Sequence, residues 1–574
     1  MNYLEKAKYW AENPCFDIAT RQEARKMLKD QNRDLCKDSF GSILEFGTGG
    51  LRGIMGVGTN RVNRYTIQTA TEGVARIISK NNIGPASRGV VVGYDTRHRS
   101  LEFAKVACEV LAGHGIPVFL FSEAAPTPLV SCELLRRRAV AGIIITASHN
   151  PPEYNGYKVY WKNGGQIVPP LDDQIIDQIR NIERFDEILE IPFEKALEQM
   201  KIEWIKKDAD EYYLNTVTNL SLGNCENNKK LGVVFTPLHG TGGRLVPELL
   251  RRQCFENVKV VERQMIPDGQ FTTVASPNPE DKNAFKMAIS EASDQDQLIL
   301  ANDPDADRLG VMVRDLEKKW HWLSGNQIGV LILDFILSNL SKKNLLPKNG
   351  AIFTTVVTSP LVSKIAEEYS LKVVEVLTGF KWIRRAALEY EKDNNLKFIF
   401  GMEESHGYLM GNHSGDKDGI WASLVFAEMV ASHKENKLTA LDRLNQIYQH
   451  HGTYLDVLKT RNFSEIGGID KIRQLMKILR DSPPKNVAGN SVVQITDFLQ
   501  NTISYPGKAS SSEIKTGLPP SDVISIELED RTRIIARPSG TEPKIKYYFN
   551  LCGEDSLKLE KKLEAIQKDF LRNQ

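Results

Sequence analysis

Charge of one sign is what this chain lacks most plainly: 74 Lys and Arg face 73 Asp and Glu, leaving a formal +1 over 574 residues. So weak a global field gathers neither nucleic acid nor an anionic membrane surface, and any anionic ligand must be caught by a local pocket. Long apolar runs are missing too. The best candidate, 328–337, covers ten residues and includes Asp334, where a membrane-spanning helix needs roughly 20 apolar positions. It reads as a buried helix, and no membrane partner is expected. The opening Met1-Asn2-Tyr3-Leu4-Glu5-Lys6 runs into a charged amphipathic pattern without the apolar stretch of a secretory signal, so a cytoplasmic location is expected. Cysteine is sparse and scattered. Cys15, Cys36, Cys108, Cys132, Cys225, Cys254 and Cys552 are odd in number and show no C-x-x-C spacing, which argues against a disulfide framework or a zinc site and predicts reduced thiols. No repeat recurs at the roughly 20–50 residue periods of a solenoid.

What is present is an ordinary globular composition, 41% hydrophobic and 26% charged, which excludes disordered and fibrous classes. The length exceeds what one core supports and predicts roughly three to five domains. Short β-branched runs at 89–93, 118–121, 139–145, 231–235, 297–300, 351–357 and 397–400 alternate with helix-length segments, which predicts α/β units with mixed, largely parallel sheets. The end of the chain differs. Beyond about 470 it reads as a helix, a polar loop with Ser-Ser-Ser at 510–512, strands at 523–527, 532–536 and 546–550, and a charged terminal helix, an α+β arrangement. Boundaries in polar stretches give domains at 1–218, 219–325, 326–452 and 453–574.

Four segments carry chemistry. At 143–158 a buried strand ends in Thr146-Ala147-Ser148-His149-Asn150-Pro151-Pro152, and the prolines forbid continuation of a helix or ladder. Ser148 is thereby presented at a strand end, where open α/β sheets place ligands. A lone serine in such a turn is more often structural, but His149 and Lys158 supply candidates for proton handling and charge compensation. A Ser-His-acid hydrolase is the rival; it lacks Gly-x-Ser-x-Gly here, and adjacent Ser and His seldom give the required contact. At 303–308, Asp303-Pro304-Asp305-Ala306-Asp307-Arg308 sets three carboxylates at alternate positions in a loop between strands, a repulsion that a hard divalent cation relieves. An EF-hand needs Gly at its sixth position and Glu at its twelfth, where Arg308 and Arg314 stand, so calcium sensing is disfavoured. Mg²⁺ completes its octahedron with water or phosphate oxygens, which implies a phosphate on the metal that Ser148 can carry.

The third segment, Arg537-Pro538-Ser539-Gly540-Thr541-Glu542-Pro543 with Lys546 beyond it, offers a guanidinium, two hydroxyls and a bare glycine backbone suited to a phosphate; an ordinary Pro-Ser-Gly turn is the alternative. The fourth, Gly401-Met402-Glu403-Glu404-Ser405-His406-Gly407, holds carboxylates, a hydroxyl and an imidazole suited to vicinal sugar hydroxyls, although acidic capping of a helix would explain one glutamate. Two weaker signals are the glycine-rich Phe46-Gly47-Thr48-Gly49-Gly50-Leu51-Arg52-Gly53 and Thr378-Gly379-Phe380-Lys381, either of which is a plain turn when taken alone.

Together and in this order, these segments resemble the signature loops of the α-D-phosphohexomutase superfamily, nearest its phosphoglucomutase and phosphopentomutase branch. The resemblance implies four domains around a central cleft, each donating one loop. It makes Ser148 the phosphoserine and, with Asp303, Asp305 and Asp307, a ligand of Mg²⁺. His149, Lys158 and Arg52 become catalytic candidates, with Arg308 on the phosphoserine side. Glu403, Ser405, His406, Thr378, Gly379 and Lys381 face the sugar, and Arg537, Ser539, Gly540, Thr541 and Lys546 hold the phosphate that is not reacting. The Glu-Glu-Ser form favours glucose phosphates over the dual mannose and glucose enzymes, although Met402 stands where many members carry a different residue. The expected reaction interconverts α-D-glucose 1-phosphate and glucose 6-phosphate through a glucose 1,6-bisphosphate that also serves as activator. Alternatives on the same scaffold are a phosphopentomutase, a phosphomannomutase or a bisphosphate synthase, and outside enzymes a sugar-phosphate sensor. Partners are then small sugar phosphates, with no nucleic acid, in a monomer or homodimer. A hinge between the third and fourth domains is expected to open and close over the ligand.

Overall fold

The computed structural model describes residues 2–30, 33–44, 46–47, 50–80, 88–182, 184–463, 468–506, 515–539 and 544–572. The chain forms two compact units, Met1–Gly325 with Ser405–Thr439, and Asn326–Glu404 with Ala440–Gln574.

In the first unit, Ala141–Ile145, Val90–Tyr94, Val118–Phe121 and Ile202–Ile205 run parallel in that spatial order. The Val and Ile runs of Val90–Tyr94 and Ala141–Ile145 are buried at every position, as a sheet covered on both faces requires. Helices Arg64–Lys80, Ser100–Gly113 and Thr127–Arg137 supply that cover. The prolines at 151 and 152 interrupt the ladder only as far as Tyr154, a correction to their reading as a stop. Tyr154–Trp161 turns back antiparallel on Ala141–Ile145, with Lys158 opposite Ile144, and Gly50–Ile54 continues the sheet beyond it. An amino-terminal helical cap, Tyr3–Glu12, Ile18–Lys29 and Asp34–Phe40, closes over an aromatic cluster of Trp10, Phe16, Phe40 and Tyr65.

A second sheet in this unit has Asn257–Val260, Gly232–Thr236 and Asp296–Asn302 in parallel, then Leu309–Arg314 and Trp320–Leu323 antiparallel. Its hairpin closes at Asn302 opposite Leu309, so residues 303–308 form the turn. Helix Gly419–Glu435 is apolar all round and buried from Gly419 to Ala431, which is why it packs onto Asp296–Asn302 and Leu245–Arg252 and joins this unit although it lies far along the chain. Cys225 and Cys254 form a disulfide. The expectation of reduced thiols throughout is therefore corrected: a pair 29 residues apart has no sequence signature, and the fold brings the short helix Cys225–Asn228 to the end of Leu245–Arg252.

The second unit carries the parallel strands Lys372–Val376, Gly350–Thr355 and Lys397–Glu403. Helix Gly325–Lys342 encloses the apolar run at 328–337, and no helix among the described residues is long and apolar enough to cross a membrane. The carboxy-terminal sheet is antiparallel in the order Thr453–Asn462, Lys544–Gly553, Arg533–Pro538, Ile524–Leu528, Asn490–Asp497, Asn486–Val487. Alternate residues Ile524, Ile526 and Leu528 face Met476 of Gly468–Asp481 and Ile566 and Phe570 of Ser556–Arg572 in one core. Three α/β sheets and a final α+β element agree with the expected fold class.

Candidate active site

Ser148 sits at φ 52°, a left-handed backbone that a serine adopts only when its surroundings enforce it. The enforcement is traceable. Thr146 Oγ1 accepts from Ser148 N at 2.8 Å and donates to Asp95 Oδ2 at 2.6 Å, while Asp95 Oδ1 accepts from Arg97 N and Ser100 Oγ at 2.9 and 2.7 Å. The Arg97 guanidinium, its side chain fully buried, donates to the carbonyls of Ser148 at 2.6 Å, Pro151 at 2.8 Å, Tyr154 at 3.2 Å and Asn150, and lies 4.9 Å over the ring of Phe271. One cation thus gathers four carbonyls that a Pro-Pro turn leaves without a ladder. Neither Asp95 nor Arg97 was foreseen. Their signal, an Asp-x-Arg directly after a buried strand, was there to be read.

The 303–308 turn lies against this loop. Ser148 Oγ donates to Asp303 Oδ2 at 2.5 Å, and His149 Nδ1 is 3.2 Å from the same hydroxyl. Asp303, Asp305 and Asp307 offer one ligand oxygen each within 4.8 Å of one another and are at most 1% exposed. Burial, then repulsion from Asp305 and Asp307, drives the Asp303 carboxyl well above the usual carboxylate range. Burial also works against the Asp305 carboxylate, but the Lys158 ammonium outweighs it and holds that group low. Oδ1 of Asp305 and of Asp307 are buried with no hydrogen-bond partner among the described residues. Buried carboxylate oxygens without hydrogen-bond donors, on three carboxylates this close together, fit a hard divalent cation, and a phosphate beside them would need such a cation.

Lys158 Nζ donates to Asp305 Oδ2 at 2.7 Å and Asp307 Oδ2 at 3.2 Å. Burial opposes its charge, yet the two carboxylates outweigh burial and raise its pKa, so it is a firmly held ammonium. A second buried lysine, Lys417, reaches Asp307 Oδ2 at 2.9 Å and Asp416 Oδ1 at 3.4 Å, and Asp416 Oδ2 accepts from Tyr160 Oη and Gln166 Nε2, both at 2.8 Å. Sequence reasoning missed Lys417, although Asp416-Lys417-Asp418 ahead of a buried helix is an unusual run. Gly415 lets its loop reach this depth: a Cβ there would lie 2.2 Å from the Gly164 carbonyl carbon. Arg52 Nη1 donates to Asn150 Oδ1 at 3.2 Å. Arg308 donates its backbone N–H to Asp303 Oδ1 at 3.0 Å and pairs with Glu280.

The remaining expected residues lie elsewhere. In the second unit Glu403 Oε1 accepts from Gly379 N at 2.8 Å, which joins two of the expected sugar loops; Gly379 has φ 120°, a conformation other residues avoid. Thr378 Oγ1 is buried without a hydrogen-bond partner among the described residues, and Lys381 Nζ lies 5.8 Å from the Trp382 ring centre. Ser405 is half-buried. His406 is 2% exposed, its Nδ1 donates to the Leu309 carbonyl at 2.9 Å, burial keeps its pKa low, and its ring packs near Trp322. It locks the loop to strand Leu309–Arg314. Arg537 and Lys546 are direct cross-strand partners, both half-buried, with Ser539 just beyond. Gly540 and Thr541 lie outside the described residues, as do Thr48 and Gly49 of the glycine-rich loop.

A strained serine, a buried carboxylate triad with open oxygens and two lysines define a multidomain α/β enzyme of metal-assisted phosphoryl transfer. The phosphoglucomutase/phosphomannomutase family matches in sequence order, its alpha/beta/alpha domain I over residues 44–186, domain II over 211–317 and domain III over 324–450. The phosphoglucomutase of Staphylococcus haemolyticus (strain JCSC1435) is 35% identical over 90% of this chain and 91% of its own length, and that of Staphylococcus aureus (strain USA300) is 36% identical over 92% and 93%. Among solved structures, the phosphoglucomutase pp63/parafusin of Paramecium in its open form superposes with a TM-score of 0.66 at 19% identity, covering 92% of this chain and 96% of that one. A phosphoglucomutase/phosphomannomutase family protein of Burkholderia thailandensis gives 0.63 at 19%, covering 92% and 97%. The chain belongs to the phosphoglucomutase/phosphomannomutase family, mutases that isomerise sugar phosphates by phosphoryl transfer. Membership implies a metal ion and a bisphosphorylated sugar intermediate.

Proposed function

We propose that this chain is a phosphoglucomutase that interconverts α-D-glucose 1-phosphate and glucose 6-phosphate, with Ser148 as the phosphoryl carrier, Mg²⁺ on Asp303, Asp305 and Asp307, and glucose 1,6-bisphosphate as intermediate and activator. The observation that carries the reading is the 2.5 Å contact of a conformationally forced serine hydroxyl with a carboxylate of a buried, cation-ready triad. The relatives named phosphoglucomutase and the Glu403-Glu404-Ser405 form support glucose as the sugar. The division at 1–218, 219–325, 326–452 and 453–574, a cytoplasmic location and a monomer or homodimer belong to the same proposal.

In the first half-reaction the phosphoryl group on Ser148 passes to the free hydroxyl of a hexose monophosphate: the bond from Ser148 Oγ to phosphorus breaks and one to the sugar oxygen forms. The bound cation supplies neutralisation of charge on the transferring group. Arg52, Arg308, Lys158 and Lys417 add fixed positive charge around it, and Arg97 keeps Ser148 in line. Lys158, held as an ammonium by two carboxylates, is suited to charge compensation. His149, with Nδ1 3.2 Å from Ser148 Oγ, takes the sugar hydroxyl proton and passes it to the Ser148 Oγ that the phosphoryl group leaves. The bisphosphate then reorients and returns its other phosphoryl group to Ser148. Glu403 and Ser405 hold sugar hydroxyls, with His406, Thr378, Gly379 and Lys381 beside them. Arg537, Ser539, Gly540, Thr541 and Lys546 hold the phosphate that is not reacting.

A coupled assay with Mg²⁺ and a trace of glucose 1,6-bisphosphate tests the reading by comparing glucose 1-phosphate, mannose 1-phosphate and ribose 1-phosphate. Dominant turnover of glucose 1-phosphate is expected. Preference for either other sugar moves the specificity to a phosphomannomutase or phosphopentomutase, and no turnover of any overturns the proposal.

A further inference from the structure

Outside the carboxylate centre, another group of side chains brings metal-ligating atoms together among the described residues. Glu368 ends the helix Leu361–Glu368, and His450 and His451 end the helix Ala440–His451, which packs against it. Glu368 Oε1 pairs with His450 Nε2 and lies 3.6 Å from His451 Nε2, and the three ligand atoms fall within 4.8 Å of one another. Consecutive helical side chains point about 100° apart, yet the rings of His450 and His451 lie 4.7 Å apart centre to centre and both turn Nε2 toward one carboxylate oxygen. The nearby cations are otherwise engaged. Lys364 Nζ donates to Glu367 at 2.8 Å, and Arg443 donates to both oxygens of Asp334 at 2.6 and 2.8 Å.

We propose that Glu368, His450 and His451 bind a divalent transition-metal cation of the Zn²⁺ class, at a site separate from the aspartate triad and not needed for phosphoryl transfer. The donor set selects the cation. Two imidazole nitrogens and one carboxylate oxygen suit Zn²⁺, whereas Mg²⁺ prefers oxygen alone, so the two centres divide the two metals between them. Access is graded: the side chains of His450, Glu368 and His451 are 68%, 41% and 11% exposed, which leaves the fourth coordination position to solvent on the His450 side. The location gives the site a consequence. His451 is followed by Gly452 and then by Thr453–Asn462, the edge strand of the carboxy-terminal sheet. A cation here ties the helix Leu361–Glu368 to the residue from which that sheet departs, and stiffens the junction at which a hinge was expected from sequence.

The test is calorimetric titration of the full chain with Zn²⁺ in a large excess of Mg²⁺, which keeps the aspartate triad occupied. Wild type is expected to take up one Zn²⁺ that the variant carrying His450→Ala and His451→Ala does not. Glu368→Gln should weaken that uptake roughly tenfold or more, since an amide is a poor ligand but fills the same space. Turnover with Mg²⁺ should be unchanged in all three proteins, which separates failure of this site from failure of the proposed mutase activity. As a second measurement, Zn²⁺ should raise the Tm of wild type and of a Lys364→Ala control but not of the double variant. Equal Zn²⁺ uptake in wild type and the double variant, or uptake that excess Mg²⁺ abolishes in wild type, would overturn the proposal.

Discussion

Two regions of this molecule gather charge, and they are built in opposite ways. Around Ser148, in the first compact unit, each charge is fixed by another. Asp303, Asp305, Asp307 and Lys158 are at most 1% exposed, the two lysines lean on carboxylates, and Arg97 with Asp95 fixes the backbone of the carrier loop. In the second unit, Arg537 and Lys546 face each other across two strands at half exposure, with Ser539 at the strand end. Buried charge is costly, and removal of one partner leaves the other stranded at about 3–5 kcal/mol; half-exposed charge is cheap to hold and cheap to lose. Phosphoryl transfer gains from charges fixed in place beforehand, whereas the proposed role of the second region, holding a phosphate that must arrive, leave and arrive again the other way round, gains from access. The first region should therefore fail in kcat when altered, and the second in KM.

The largest break in that contrast is Ser148→Ala. Turnover should fall by at least about 10⁴-fold, as loss of a covalent carrier generally demands, while thermal unfolding stays near wild type; residual turnover near wild type would contradict the scheme. Next comes the metal. Chelation should remove activity and Mg²⁺ restore it, and Asp305→Asn should lower kcat by roughly 10³-fold with a lower Tm, because it also leaves Lys158 short of a partner. Arg97→Ala should lower kcat by about 10²-fold with little change in KM, since misplacing a reacting group by about an ångström costs that much. Arg97→Lys should recover only part of it, because a lysine cannot serve four carbonyls at once. Arg537→Ala should instead raise KM by roughly 10-fold to 100-fold, the worth of one charge-assisted hydrogen bond to phosphate, with a smaller effect on kcat. Smallest in activity is Trp10→Ala. It should cost about 3–5 kcal/mol of stability by emptying the space beside Phe16, 4.4 Å away centre to centre, yet leave kcat and KM unchanged.

The contrast also marks what the sequence could disclose. The strands and the chemistry-bearing loops were legible because strand periodicity and short motifs are local: Ala141–Ile145, the alternating aspartates and the Arg537 turn each carry their signal within a dozen residues. Lys417 and Asp416 were not. They act more than 100 residues from Asp307 and 250 residues from Gln166, through a glycine approach that only the folded chain reveals. The same holds for the disulfide of Cys225 and Cys254, and for Gly419–Glu435, which the chain order assigns to the third domain while its apolar circumference draws it into the first unit. His406 is a further case: its place inside a functional motif was legible, but its burial and its backbone acceptor were not. Arg97 lay between, visible as a pattern but mute about its task until the four carbonyls it collects were in place.

The most direct test of the central claim is the location of phosphate on the chain. Protein treated with glucose 1,6-bisphosphate and Mg²⁺, digested and read by mass spectrometry, should carry a single phosphate on Ser148, and addition of glucose 6-phosphate should chase it off into sugar bisphosphate. Phosphate on another residue, or phosphate on Ser148 that no sugar phosphate removes, would contradict the account of Ser148 as the carrier.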